Sequence, residues 1–217
     1  GAYKGETPCT LRRLPVGKYD MVLRKEGYEG ISQQVTCTAN ALQAVEFSLH
    51  MLAHFEARQF ALSGDEALEA GDYENAIASY GRAIQLDPEE ARYLQQKTVA
   101  RRALFEKHVK EVLTAYEAAY ETEQVDALAS LLDFGCSDFL DKEVANATAL
   151  FSAFDGIDLE FSNITLPAEE TEEVLVHLHL SLQAADGHGK KHRLVDKDAD
   201  FTLRRKTEDS WKICAIK

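Results

Sequence analysis

Apolar positions change their period twice along the chain. Within residues 3–50 they fall in short runs: Tyr19–Lys25, Ile31–Thr38 and Ala44–Leu49 mix aromatic, β-branched and aliphatic residues, with Pro15-Val16-Gly17 and Gly27-Tyr28 as punctuation. That pattern predicts short antiparallel strands in a small sandwich or meander. From residue 54 the period becomes helical. Phe60, Gly64, Ala67, Ala76, Tyr80 and Ala83 recur on either side of Gly71-Asp72-Tyr73, Pro88 follows, and Glu90–Glu121 contains neither Gly nor Pro. Two antiparallel helices and one long helix are expected. Val109, Val112, Leu113, Tyr116 and Tyr120 form an apolar stripe on the long helix, and a short helix is read over Gln124–Leu132. Strand patterns follow at Leu159–Leu166, Val174–Gln183, His192–Lys206 and Trp211–Ile216, with Ala185-Asp186-Gly187-His188-Gly189 as a hairpin turn.

The expected architecture is α+β with three domains: an antiparallel β piece over 1–50, a helical hairpin with its connector helix over 51–104, and helices covering one face of a curved sheet over 105–217. A length of 217 residues suits two or three small domains. The chain opens on Gly1-Ala2-Tyr3-Lys4, without an initiator Met or a signal-peptide pattern. It reads as a piece of a longer protein whose targeting information lies elsewhere.

Charge narrows the partners. Residues 1–50 carry 6 basic and 5 acidic side chains, 51–104 carry 6 and 9, and 105–217 carry 12 and 23, which sum to −13. Nucleic-acid binding needs clustered cations, and the acidic C-terminal half would repel both nucleic acid and an anionic membrane surface. No run reaches the roughly 20 apolar residues of a membrane-spanning helix, so membrane insertion by this chain is not expected. Cys9, Cys37, Cys136 and Cys214 lack metal-ligand spacing. Bridges Cys9–Cys37 and Cys136–Cys214 would form in an oxidising compartment; buried free thiols are the preferred alternative.

Motifs carry three resemblances. Gly5-Glu6-Thr7-Pro8, Leu11, Leu14-Pro15, Gly17, Tyr19 and Lys25-Glu26-Gly27-Tyr28 resemble a PEGA domain whose opening strands lie upstream of Gly1. This implies a non-catalytic module of a bacterial envelope protein or receptor-kinase ectodomain, hence an extracytoplasmic location. Phe60, Gly64, Ala67, Gly71-Asp72-Tyr73, Ala76, Tyr80, Ala83 and Pro88 resemble one tetratricopeptide repeat. A second does not follow, since Leu94, Thr98, Lys110 and Leu113 stand where small or aromatic residues would recur. A lone repeat must dock on a neighbour, so a protein partner is expected. The Lys/Asn carboxylate-clamp pattern of some peptide-binding repeats is not visible. Tyr116-Glu117-Ala118-Ala119-Tyr120, Val125-Asp126-Ala127-Leu128, Asp200–Arg205 and Glu208-Asp209-Ser210-Trp211-Lys212-Ile213 resemble the nuclear transport factor 2-like superfamily, which includes SnoaL-like domains. That resemblance implies a cone around an apolar pocket, binding a small ligand or dimerising through its sheet, with isomerases and dehydratases among its members.

In the cone, Val174, Val176, Leu178, Leu180 and Leu182 should face the helices with Val195, Ala199, Phe201 and Leu203. Pairing Val174 with Phe201 sets His177 opposite Asp198 and His179 opposite Asp196 on the outer face. That outer set reads as a metal site, a homodimer contact, or a solvated face of cross-strand charge pairs. Tyr116, Tyr120 and Trp211 are core aromatics that a pocket ligand would touch. An EF-hand loop from Asp196 fails, because its sixth and twelfth positions hold Phe201 and Thr207. His188, His192 and the Glu169–Glu173 cluster read as surface. The helix-facing set offers no general acid or base, nucleophile elbow or phosphate loop, so neither catalysis nor a cofactor is expected.

Overall fold

A computed structural model describes residues 5–39, 43–168, 170–207 and 210–217. The chain divides into two compact units, one ending at Lys97 and the other beginning at Thr98.

In the first unit, β1 (Gly17–Leu23) and β2 (Ile31–Cys37) form an antiparallel ribbon running from Gly17↔Cys37 to Leu23↔Ile31. The Tyr19 hydroxyl donates to the Pro15 carbonyl at 2.9 Å, which explains an aromatic two residues after Gly17: it ties the turn to the strand it opens. The third expected strand, Ala44–Leu49, does not form. Val45, Phe47 and Leu49 keep the alternating half-burial that suggested it, but pairing occurs only at its end, through an isolated Tyr28↔Met51 bridge and a Glu29 N–H donating to His50 O at 2.8 Å.

Helices α1 (Ala53–Glu69) and α2 (Tyr73–Leu86) make the expected hairpin. Asp72 caps α2 by accepting from the Asn75 N–H at 3.3 Å. Small residues set the approach of the two helices: a Cβ on Gly64 would lie 2.8 Å from the Tyr80 ring, so only glycine lets that fully buried ring in. Ala57, Ala61 and Ala83 are buried with Tyr93 of α3 (Ala91–Glu121). The Tyr80 hydroxyl donates to Asp65 at 2.7 Å, and Asp65 also holds Arg92 at 2.9 Å. Burial first, and then Asp65, raises the Tyr80 pKa, so it remains a phenol donor. The uninterrupted helix expected over Glu90–Glu121 is α3, 31 residues long.

The second unit adds α4 (Val125–Leu131), a 3-10 turn (Phe134–Cys136), α5 (Ser137–Ala153) and an antiparallel sheet in the order β3 (Asp155–Thr165), β4 (Glu173–Ala185), β5 (Lys191–Thr207), β6 (Ser210–Ile216). Helix α5 was not expected, although Leu140, Val144, Ala147 and Phe151 recur at helical spacing and pack on the core. Along β4, Val174, Val176, Leu178, Leu180, Leu182 and Ala184 are buried against the helices, and Ala199, Phe201 and Leu203 of β5 share that face. The faces are as expected and the register is not. Val174 pairs with Leu203, Val176 with Phe201 and Leu178 with Ala199, two residues away from the expected alignment. A shift of two keeps every side chain on its face, so alternation alone could not choose. The turn at Asp186–Lys190 and a bulge between Leu182 and Gln183 fix the pairing.

Cys136 and Cys214 are bridged across 78 residues, which corrects the preference for free thiols at that pair. Cys9 and Cys37 are free, but Cys9 is exposed and Cys37 half-buried, so neither is the buried thiol that was expected.

Candidate functional site

Helical spacing places Tyr116 and Tyr120 one turn apart on the inner stripe of α3, 2% and 7% exposed. Both hydroxyls donate to the same oxygen, Oε1 of Glu143 on α5; the Tyr120 bond is 2.6 Å. Around them Tyr116 stands edge-on to Phe201 at 5.7 Å, Phe161 meets Phe201 at 5.2 Å, and Tyr120 meets Phe151 at 5.5 Å. Burial is the main reason both tyrosine pKa values rise, with Glu143 adding to it and Tyr120 adding to the rise at Tyr116. At neutral pH the pair are therefore donors. The search for an acid or base was confined to the sheet residues facing the helices, and this carboxylate comes from the opposite wall, on the unrecognised helix α5. The Leu140–Phe151 periodicity was the signal that could have found it. Next to Tyr116 in sequence, Glu117 accepts from the Phe161 backbone N–H at 2.7 Å. Burial raises its pKa, opposed by that bond and assisted by Glu121 and Glu160.

The outer face carries the histidine–aspartate set, with corrected partners. His177 lies opposite Asp200 rather than Asp198, and its Nδ1 meets that carboxylate at 2.5 Å. His179 lies opposite Asp198 and reaches it through Nδ1 at 2.9 Å, while Nε2 meets Asp196 at 3.0 Å. Asp196 also accepts from Arg193 at 2.7 Å. An imidazole that meets a carboxylate at each nitrogen donates to both when it is protonated. Hydrogen bonds first from Asp198 and then from Asp196 raise the His179 pKa, and His179 lowers that of Asp196. Because the two aspartates sit on opposite edges of one ring, the three groups do not converge on a point that a metal could occupy.

Trp211 stands apart from both sets. It is 3% exposed, packed on Phe105 at 5.4 Å, with the Arg205 guanidinium 5.0 Å from its ring centroid. Nearby, the fully buried Asp133 accepts from Lys206 at 2.7 Å, Gly135 N–H at 2.8 Å and Arg204 at 3.3 Å. Burial works to raise its pKa, but Lys206, Gly135 and Arg204 outweigh it and hold the carboxyl below its usual value. Asp133 lies within 4.8 Å of both sulfurs of the Cys136–Cys214 bridge. With the sulfurs bonded to each other and the carboxylate already neutralised, the cluster serves as a structural anchor. His192 pairs with Asp186 at 2.9 Å across the hairpin turn, and His188 is exposed. Of the acidic cluster, Glu170 and Glu173 pair with Arg205 and Arg204, while Glu169, like Glu208 and Asp209 of the closing motif, lies outside the described residues.

The PEGA domain profile matches residues 1–52, and a TPR repeat profile matches residues 64–94. No curated protein matches the chain by sequence. Solved structures similar to its C-terminal half include a proposed scytalone dehydratase from Novosphingobium aromaticivorans, with 13% identity over 54% of this chain and 85% of that one and a TM-score of 0.48. A proposed dehydratase of the NTF2-like family from Streptomyces avermitilis shares 15% identity over 51% and 91%, with a TM-score of 0.42. The beta subunit of a proposed aromatic-ring-hydroxylating dioxygenase from Novosphingobium aromaticivorans shares 9% over 54% and 88%, with a TM-score of 0.42. PEGA and TPR modules are typical of protein-interaction regions. No helix among the described residues is long and apolar enough to cross a membrane.

Proposed function

We propose that this chain is a protein-interaction fragment of a bacterial cell-envelope protein. The PEGA-like ribbon acts as a spacer or surface-binding unit, the helical repeat takes a partner, and the C-terminal domain binds a small ligand or dimerises through the outer face of its sheet. The observation that carries this reading is the repeat itself. Its Gly64–Tyr80 contact and its alanine core are intact, and the profile matches a single repeat over residues 64–94, a unit that buries its faces by docking on a neighbour. The Cys136–Cys214 bridge supports the location, since such bridges persist in oxidising compartments. Fractionation of cells making the parent protein, combined with cross-linking and maleimide labelling, tests it. The expected result is recovery with the envelope in a heterologous adduct, with Cys9 and Cys37 labelled and Cys136 and Cys214 labelled after reduction. Cytosolic recovery with all four thiols free overturns the location, and recovery without an adduct overturns the interaction.

One cluster favours a second reading, an isomerase- or dehydratase-type enzyme. Glu143 with two phenol donors is an acid–base group inside the cone. A thermal-shift screen with small metabolites on the wild-type chain and on Glu143→Gln tests it. A ligand at 100 times its dissociation constant adds about 2.7 kcal/mol; a hit that needs Glu143 supports chemistry there, and a flat screen removes it.

A further inference from the structure

Between α2 and the start of α3 runs a groove of 480 Å3 whose walls include Phe60 and Ile77, with Gly81, Gln85, Arg82 and Lys97 along it. Its floor is apolar: Phe60 is half-buried against the alanine core and Ile77 is half-buried beside it. Its rim is cationic. Lys97 is half-buried and lies across α2, its Nζ 3.1 Å from where a Cβ on Gly81 would stand, so the glycine leaves room for the ammonium. Among the described residues no carboxylate reaches Lys97, and Arg82 donates to the neutral Gln85 Oε1 at 3.2 Å. Among the described residues neither cation has an ion-pair partner, and the two flank an apolar trough in a chain of net charge −13.

The position of the groove indicates the shape of its occupant. In a tandem array, the helix after α2 turns back and its second helix stacks beside the first pair. Here α3 takes the first place and continues for 31 residues without turning, so it supplies no second helix to stack on the pair. We propose that this groove receives an amphipathic helix of a partner protein, its apolar stripe on Phe60 and Ile77 and its Asp or Glu side chains on Lys97 and Arg82. Helix-in-groove docking reads apolar anchors along one face, and the unanswered cations select carboxylates flanking that stripe. This rests on the interaction reading above and assigns it a surface and a partner chemistry.

The test is a phage library of 16-residue helical peptides, with an Ala/Leu stripe fixed and the flanking positions randomised, selected on the full chain and on Arg82→Glu/Lys97→Glu. The wild-type chain should enrich Asp and Glu at the flanks, and the charge-reversed chain Lys and Arg. In anisotropy titrations the best acidic peptide should bind Lys97→Met roughly tenfold more weakly. Gly81→Ala, which displaces the ammonium, should have a smaller effect in the same direction. Far-UV circular dichroism confirms that each variant is folded. Enrichment indifferent to these variants overturns the groove and leaves the interaction reading standing; no enrichment on either chain overturns both. A concentration-dependent dimer of the wild-type chain that Lys97→Glu abolishes would make the occupant a second copy and overturn the partner helix.

Discussion

The ribbon of the first unit and the sheet of the second obey the same alternation and differ in what it achieves. Along β1 every second residue is half-buried, and across both ribbon strands Val35 is the residue that reaches burial. Along β4 six alternate positions are buried. The sequence periods are alike, so the difference lies in the cover: β4 and β5 have α3, α4 and α5 over one face, while the described part of the ribbon has no second layer. Alternation states which face a residue takes, and only a covering layer turns that face into a core.

The contrast can be broken most strongly at Phe201, fully buried between Tyr116 and Phe161. Phe201→Ala should cost about 3–5 kcal/mol. In urea, the transition followed by Trp211 fluorescence should move, because the single tryptophan lies in the second unit. The same truncation at exposed Val22 of the ribbon should stay within about 0.5 kcal/mol. Replacing Cys136 and Cys214 by serine should cost about 2–4 kcal/mol through release of a long loop, again in the Trp211 transition. Gly64→Val sharpens the comparison from the other side. Its Cβ would drive into the Tyr80 ring, costing about 1–3 kcal/mol in the helical signal at 222 nm while the Trp211 transition holds.

The smallest effect is a pH dependence. Asp198 and Asp196 raise the pKa of His179, so their stabilisation is complete below the ordinary imidazole value of about 6.5. It is lost as pH rises through the folded-state value. His179→Gln should flatten stability against pH across that interval, and added salt should shrink the difference, since Asp198 is 95% exposed. An unchanged pH profile in the variant would show that the contacts of His179 with Asp196 and Asp198 contribute nothing.

Residue types with a single physical job were the most legible. Gly64 and Tyr80 announced a close helix approach, Glu90–Glu121 announced an unbroken helix, and the β4 alternation announced its buried face. What escaped was set by partners far away in sequence. The β4–β5 register depended on a turn and a bulge, so His177 met Asp200, and His179 added Asp198 to the Asp196 that was expected. Tyr116 and Tyr120 were read correctly as core aromatics, but their acceptor Glu143 stayed hidden with α5, whose apolar stripe is interleaved in sequence with the exposed Asp138, Asp141 and Lys142. The pairing of Cys136 with Cys214 was visible as an option and became a choice only once Asp133 and the last strand had brought the two sulfurs together.

The bridge also changes the topology of the second unit. It closes α5 and strands β3, β4 and β5 into a covalent ring, with β6 brought round to the start of α5. A protease that cuts the exposed Gly187–Lys190 tip would open the chain without separating it. The clipped unit would run as one species on a non-reducing gel and as two fragments after reduction. Backbone integrity and unit integrity are therefore separate properties here, and damage at the hairpin can pass unnoticed for as long as the surroundings stay oxidising.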